Sequence, residues 1–205
     1  MERDGRIDIV VNNAGIAIAG PLESTSVEEA QRQLDVNLLG VFRVCRAVLP
    51  VMGSQGGGYI VNIGSIGGLI AIPYQPLYSA SKFALEGMTE SLRLEVRPLG
   101  IRVVIIEPGD TKAPIAHNRT VTADASTIGT YASFHTALKR TASDEQNGPG
   151  PEGVARLLYR IVNSTSNPRL RYTVGPALQR AAVWLKRLMP NAVLEYGMRQ
   201  YYGLH

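Results

Sequence analysis

The stretch Tyr59-Ile60-Val61-Asn62-Ile63-Gly64-Ser65 decides the fold: an apolar, β-branched run of strand length closes in a glycine and a hydroxyl and enters a Gly67-Gly68 turn. Two other runs are built the same way. Ile7-Asp8-Ile9-Val10-Val11 ends in Asn12-Asn13-Ala14-Gly15, and Ile101-Arg102-Val103-Val104-Ile105-Ile106 ends in Glu107-Pro108-Gly109. Near-continuous apolar runs separated by helical patterns predict a parallel sheet covered by helices. The strand ends of such a sheet share one edge, so the residues closing these runs belong to one site.

Between the first two runs, Ser26 and Glu29 form a capping box. The helix after it places Val27, Ala30, Leu34, Leu38, Val41, Val44, Cys45 and Val48 on one predicted apolar stripe, with Asn37 beside it. After the middle run, Tyr78-Ser79-Ala80-Ser81-Lys82 sets a phenol and an amine four residues apart, on one helix face. A free phenol titrates near ~10, and a nearby ammonium favours the phenolate. A tyrosine tuned in this way exchanges protons near neutral pH. Ser65 offers a hydroxyl to a substrate oxygen, and Asn37, by its residue type alone, reads as a polar group satisfied by backbone.

The chain has 205 residues, 45% hydrophobic, and a net charge of +4, which fits a single domain over residues 1–205. The charge is too modest to point to nucleic acid. No uninterrupted apolar run approaches the ~20 residues of a membrane span, and the first residues do not read as a signal peptide. Cys45, the single cysteine, reads as core, and His117, His135 and His205 lack ligand spacing, so no metal site is expected and a reducing cytoplasm is. Residues 110–150 turn polar without a strong period, as a surface loop also would, and the family resemblance given below makes them a lid over the substrate. Leu69 to Pro73 read as an apolar pocket wall, which fits a small hydrophobic, lipid-like substrate; that it is an alcohol or ketone is what the resemblance given below implies. From Pro168 onward Arg169, Arg171, Arg180, Lys186, Arg187 and Arg199 face only Glu195. The amphipathic segment 178–189, with the sole tryptophan Trp184, is open to three uses: covering the cleft, packing on another subunit, or peripheral membrane contact.

The order and spacing of these motifs resemble the short-chain dehydrogenase/reductase family of the classical type, from about Gly5 to Gly109: Asn12 to Gly15, Val36-Asn37-Leu38-x-Gly40, Ser65, Tyr78 to Lys82 and the Pro108-Gly109 turn. Gly64 to Gly109 is most similar to hydroxysteroid and retinol dehydrogenase-like members. The resemblance implies an α/β, Rossmann-like doubly wound parallel sheet and hydride transfer between NAD or NADP and a secondary alcohol or ketone. It implies Tyr78 as acid/base, Lys82 lowering its pKa and holding the nicotinamide ribose, Ser65 orienting the oxygen and Asn37 ordering a water that refills the relay. Asn12, Ala14 and Gly15 would line the adenosine side of the cofactor, and Pro108, Gly109 and Thr111 the nicotinamide. It also implies a homo-oligomer paired through helices equivalent to 28–48 and 77–97.

The family's first strand and Gly-rich phosphate turn would precede Asn12, and no Thr-Gly-x-x-x-Gly-x-Gly occurs in the sequence. The sheet is therefore expected to be N-terminally truncated, its cofactor preference unreadable. A non-catalytic fragment unable to hold the dinucleotide is one rival reading, and a sugar-nucleotide epimerase or dehydratase another.

Overall fold

The computed structural model describes residues 5–112, 119–122 and 129–204. The His117 and His205 readings, and residues 113–118 and 123–128 of the lid reading, lie outside them. Strands β1 (Ile9–Asn12), β3 (Gly58–Ile63), β4 (Ile101–Pro108) and β6 (Arg171–Val174) form one parallel sheet in the order β1-β3-β4-β6. Two short strands, β2 (Ile18–Ala19) and β5 (Thr120–Val121), pair separately and also in parallel. The register sets Asn12 beside Asn62 and Asn62 beside Ile105, so the strand ends share one edge, as a parallel α/β fold requires.

The period-two alternation of β3 and β4 sorts the core into two layers. Ile60, Val103 and Ile105 face helix α2 (Gly40–Ser54) and helix α3 (Pro76–Val96), meeting Val41, Cys45, Leu85 and Leu92. Val61, Val104 and Ile106 face the opposite side, where helix α5 (Glu152–Val162) supplies Ile161 and Leu158. Helices on both faces explain why the strands read as continuous apolar runs. Gly100 ends the turn after α3 at φ 72, a left-handed bend hard against Gly56 and Gly57 that a side chain would block.

Helix α1 (Val27–Leu34) carries the expected capping box and runs into α2 through a π-helical turn, Asp35–Leu39, closed by the Gly40 N–H donating to the Asp35 carbonyl. The expected continuous stripe does not survive this turn. One extra residue rotates the rest of the helix by about 100°. Val27 is left 65% exposed and Val44 39% exposed, while Asn37 is turned inward. Within the joined helix Val27–Ser54 an 18-residue window has mean hydropathy 1.5, long and apolar enough by length and composition to cross a membrane. Here its Val41, Cys45 and Met52 pack on the sheet.

The lid reading of residues 110–150 missed a helix, α4 (Phe134–Asn147). Its Phe134 is fully buried against Tyr74, whose ring lies 5.2 Å away edge-on and whose backbone holds φ 58, a costly conformation for a bulky residue. The C-terminal helices are α6 (Ala177–Leu185) and α7 (Asn191–Tyr202).

Arg171 is not the unbalanced cation its sequence neighbourhood implies. From β6 its Nε donates to Glu86 on α3 at 2.7 Å, and it stands 3.8 Å from both Glu90 and Glu107. Glu107 is wholly buried on β4, with no hydrogen bond to either carboxylate oxygen among the described residues. Burial and the adjacent Glu86 carboxylate push its titration far above the ordinary 4.5, so it is neutral at pH 7. A raised carboxyl favours folding only at low pH, and that contribution is lost as pH climbs above 4.5. Glu107→Gln is therefore expected to melt at a higher temperature than the parent chain at pH 8, with the gap closing below pH 4. A lower midpoint at pH 8 would show that the charged form is the one the fold uses.

Candidate active site

The ends of β1, β3 and β4 and the start of α3 meet around one cavity of about 950 Å³. Ser65 follows β3 in extended backbone, and its Oγ accepts the Gly67 N–H at 3.0 Å. A Cβ on Gly67 would come within 3.1 Å of the Tyr78 ring and 3.3 Å of the Ser65 hydroxyl. Glycine there lets the two converge. Desolvation pushes the phenol up, with the Ser65 hydroxyl as the largest opposing influence.

Lys82 lies one turn further along α3 and is 5% exposed. Its Nζ donates to the Ile63 carbonyl at 3.0 Å, where β3 ends, and sits 5.9 Å from the Tyr78 ring centre. Burial without a counter-charge lowers its ammonium from 10.5 to about 8. Phenol and amine thus share a face as their spacing predicts, with the amine anchored on the strand end.

Asn37 reaches the same place from the π-helical turn. Its Oδ1 accepts the Ile16 N–H at 2.9 Å, and its Nδ2 donates to the Ile16 carbonyl and to Ser81 Oγ, both at 3.0 Å. Ser81 in turn donates to the Tyr78 carbonyl at 2.7 Å. Asn37 thereby ties the loop after β1 to the turn of α3 that carries Tyr78. Gln33, also fully buried, holds Ile16 and Ile18 in the same manner. A lone glutamine in an amphipathic helix carried no sequence signal of this.

Ala14, Gly15, Pro108, Gly109 and Thr111 all line the cavity, and Asn13 joins them. Asn12 does not. Its side chain turns inward, donating to Asn62 Oδ1 at 2.8 Å and to Cys45 Sγ at 3.7 Å. Asn62 passes the chain on to Thr89 Oγ1 at 2.9 Å, pinning β1, β3 and α3 together. Burial raises the Cys45 thiol, which fits a core residue. Of the expected apolar wall, Ile70 and Ile72 face the cavity. Of the three uses open to segment 178–189, the structure shows cleft cover: Leu178, Ala182, Leu185 and Met189 line the cavity, and α7 adds Leu194 and Met198.

A model of the short chain dehydrogenase family matches residues 1–124. Among curated proteins, a 3-ketodihydrosphingosine reductase of Bacteroides thetaiotaomicron is 40% identical over 205 residues, all of this chain and 76% of that protein. Human 17-beta-hydroxysteroid dehydrogenase type 1 is 34% identical over 174 residues, covering 82% of this chain and 53% of the enzyme. A short-chain dehydrogenase structure from Streptomyces avermitilis superposes with TM-score 0.79 at 29% identity, covering all of this chain and 74% of that one. A closed serine dehydrogenase complexed with NADP+ gives TM-score 0.69 at 27% identity over 84% of this chain and 66% of its own. The chain belongs to the short-chain dehydrogenase/reductase family. It spans between about half and three quarters of the length of these relatives.

Lys82 has a consequence for stability. Holding a charge at that site costs about 3 kcal/mol at neutral pH, given the fall from 10.5 to about 8. The unfolded chain keeps the proton up to 10.5, so the cost is complete below pH 8 and fades as pH rises to 10.5. Lys82→Met is expected to melt above the parent at pH 7, with the advantage shrinking across that window. An equal or lower midpoint at pH 7 would mean that the amine is stabilised by a partner rather than strained by burial.

Proposed function

We propose that the protein is an NAD(P)-dependent oxidoreductase that interconverts a secondary alcohol and its ketone on a lipid-like substrate. The observation that carries this reading is Tyr78, flanked by Ser65 and Lys82, opening on a large and mainly apolar cavity. The substrate named for the Bacteroides relative, 3-ketodihydrosphingosine, supports the lipid assignment.

The residues present fit a nicotinamide and its ribose. Ala14, Gly15 and Gly109 keep the cavity wall free of large side chains, where a flat ring can lie, and the Lys82 ammonium stands at the strand end within reach of hydroxyls. When bound, the nicotinamide gives or takes the hydride. Ser65 holds the substrate oxygen, Tyr78 delivers its proton to that oxygen or removes it, and Lys82 keeps positive charge beside the phenolate that results. Asn37 positions Tyr78 through Ser81 and orders the water that returns the proton. Asn12 supports the cofactor loop from behind, through Asn62.

Leu39 at the end of the π-helical turn and Phe42 on α2, with Phe83 and Leu94 on α3, are exposed and apolar, which supports a homo-oligomer built on these helices. On the outer face of α6 and the turn after it, Trp184 and Leu188 are exposed beside Arg180 and Arg187, which supports peripheral contact with an anionic membrane near the cavity. The buried, free Cys45 suits a reducing cytoplasm.

Tyr78→Phe removes the proton donor while keeping the ring. It is expected to lower turnover of a long-chain ketone by about 10²–10⁴-fold, followed as NADH or NADPH oxidation, with dinucleotide binding retained. Full activity in this variant would refute the assignment. Conversion of sugar nucleotides with no action on ketones would favour the epimerase or dehydratase reading.

A further inference from the structure

The cavity is apolar along most of its wall, and apart from Lys82 of the catalytic group its charged lining comprises Asp110, Arg119 and Glu145. They come from three separate elements: the turn after β4, the residue preceding β5, and α4. We propose that these three side chains form a head-group subsite in the cavity that Tyr78 lines, which takes the ammonium and hydroxyl of a long-chain amino ketone or amino alcohol. This rests on the lipid ketone reading above and adds the polar end of that substrate.

The ion pair between Arg119 and Glu145 is enclosed, with side chains only 6% and 14% exposed. It is also incomplete. Arg119 Nε and Glu145 Oε2 are both buried, with no hydrogen-bond partner among the described residues. A buried donor and acceptor left open side by side are costly unless another group completes them. Asp110 is better held: its carboxylate accepts from the Gln179 side-chain amide, and its backbone N–H donates to Gln179 Oε1 at 2.9 Å.

The charges do not balance. Asp110 and Glu145 bring two carboxylates against one guanidinium. The neighbouring Asp144 is already engaged, by Arg140 at 3.0 Å and by the Tyr201 hydroxyl at 2.7 Å. Tyr201 and Tyr202 face the cluster from α7 as neutral phenols, and Lys82 lies across the cavity, bonded to Ile63. Burial without enough positive charge lifts Asp110 to about 6, still ionised at pH 7. A single ammonium, with three donors, would neutralise the surplus and satisfy the open carboxylate oxygen, and a hydroxyl oxygen would accept from Arg119 Nε.

The cluster opens on the same cavity as Tyr78 and acts on its phenol, Glu145 and Asp110 upward and Arg119 downward, so a substrate that reacts at Tyr78 can reach it with an amine and a hydroxyl. The alkyl tail runs along Ile70, Ile72, Leu158, Ala182 and Met189.

The test compares a long-chain 1-hydroxy-2-amino-3-ketone with the 3-ketone of equal length lacking the amine, using kcat/KM at pH 7. The wild type is expected to favour the amino ketone by about tenfold or more, the size of one charge-assisted hydrogen bond, and Asp110→Asn and Glu145→Gln are each expected to collapse that ratio toward one. The preference should also decline as pH falls through about 6. A wild-type ratio near one, or an unchanged ratio in both folded variants, overturns the subsite. If the wild type reduces neither ketone, the proposed function fails. Calorimetric binding of the corresponding long-chain amino alcohol then judges the subsite alone: binding lost in Asp110→Asn supports it, and equal binding in wild type and variant overturns it.

Discussion

The bond from Lys82 Nζ to the Ile63 carbonyl is the contact on which the site depends. It joins the catalytic helix to the last residue of a central strand, and it does so with an ammonium group that has been taken out of water. A fold selected for stability alone would put methionine or leucine at that position. The charge stays where hydride chemistry needs it, at the carboxyl edge of the sheet beside a phenol and a hydroxyl.

Around that bond, alignment is fixed by buried amides rather than by apolar packing. Asn37 grips both the N–H and the carbonyl of Ile16 while reaching Ser81, and Asn62 links Asn12 to Thr89. Apolar contacts are non-directional and tolerate small slips. A side-chain amide with both ends engaged does not. The π-helical turn at Asp35–Leu39 answers the same demand, because it rotates Asn37 off the helix surface and into the core at the expense of a regular stripe. Small residues complete the arrangement: Gly67 lets Ser65 and Tyr78 approach, and a side chain on Gly68 would strike the backbone of Lys82.

Much of this was legible in the sequence because strand ends and helix faces obey short-range rules. The three apolar runs gave the parallel sheet, and the four-residue spacing put Tyr78 and Lys82 on one face. Ala14, Gly15, Ser65, Pro108, Gly109 and Thr111 reached the cavity as their motif positions implied. What stayed hidden depends on contacts distant in sequence. Nothing local reveals that Arg171 meets Glu86 across 85 positions, that Gln179 clamps Asp110, or that Arg119 and Glu145 enclose each other. Asn12 looked like a cavity residue because it sits in the motif, yet strand alternation turns it inward and leaves Asn13 to the cavity. The helix α4 escaped notice because its polar outer face resembles a loop in composition.

The central claim is that a lysine is held charged but desolvated where β3 ends. The direct measurement is an NMR titration of the Lys82 amine in selectively labelled protein, with Lys82→Met used for assignment. A midpoint near about 8 is the predicted result. A midpoint near the ordinary 10.5 would place the amine in water and contradict the account.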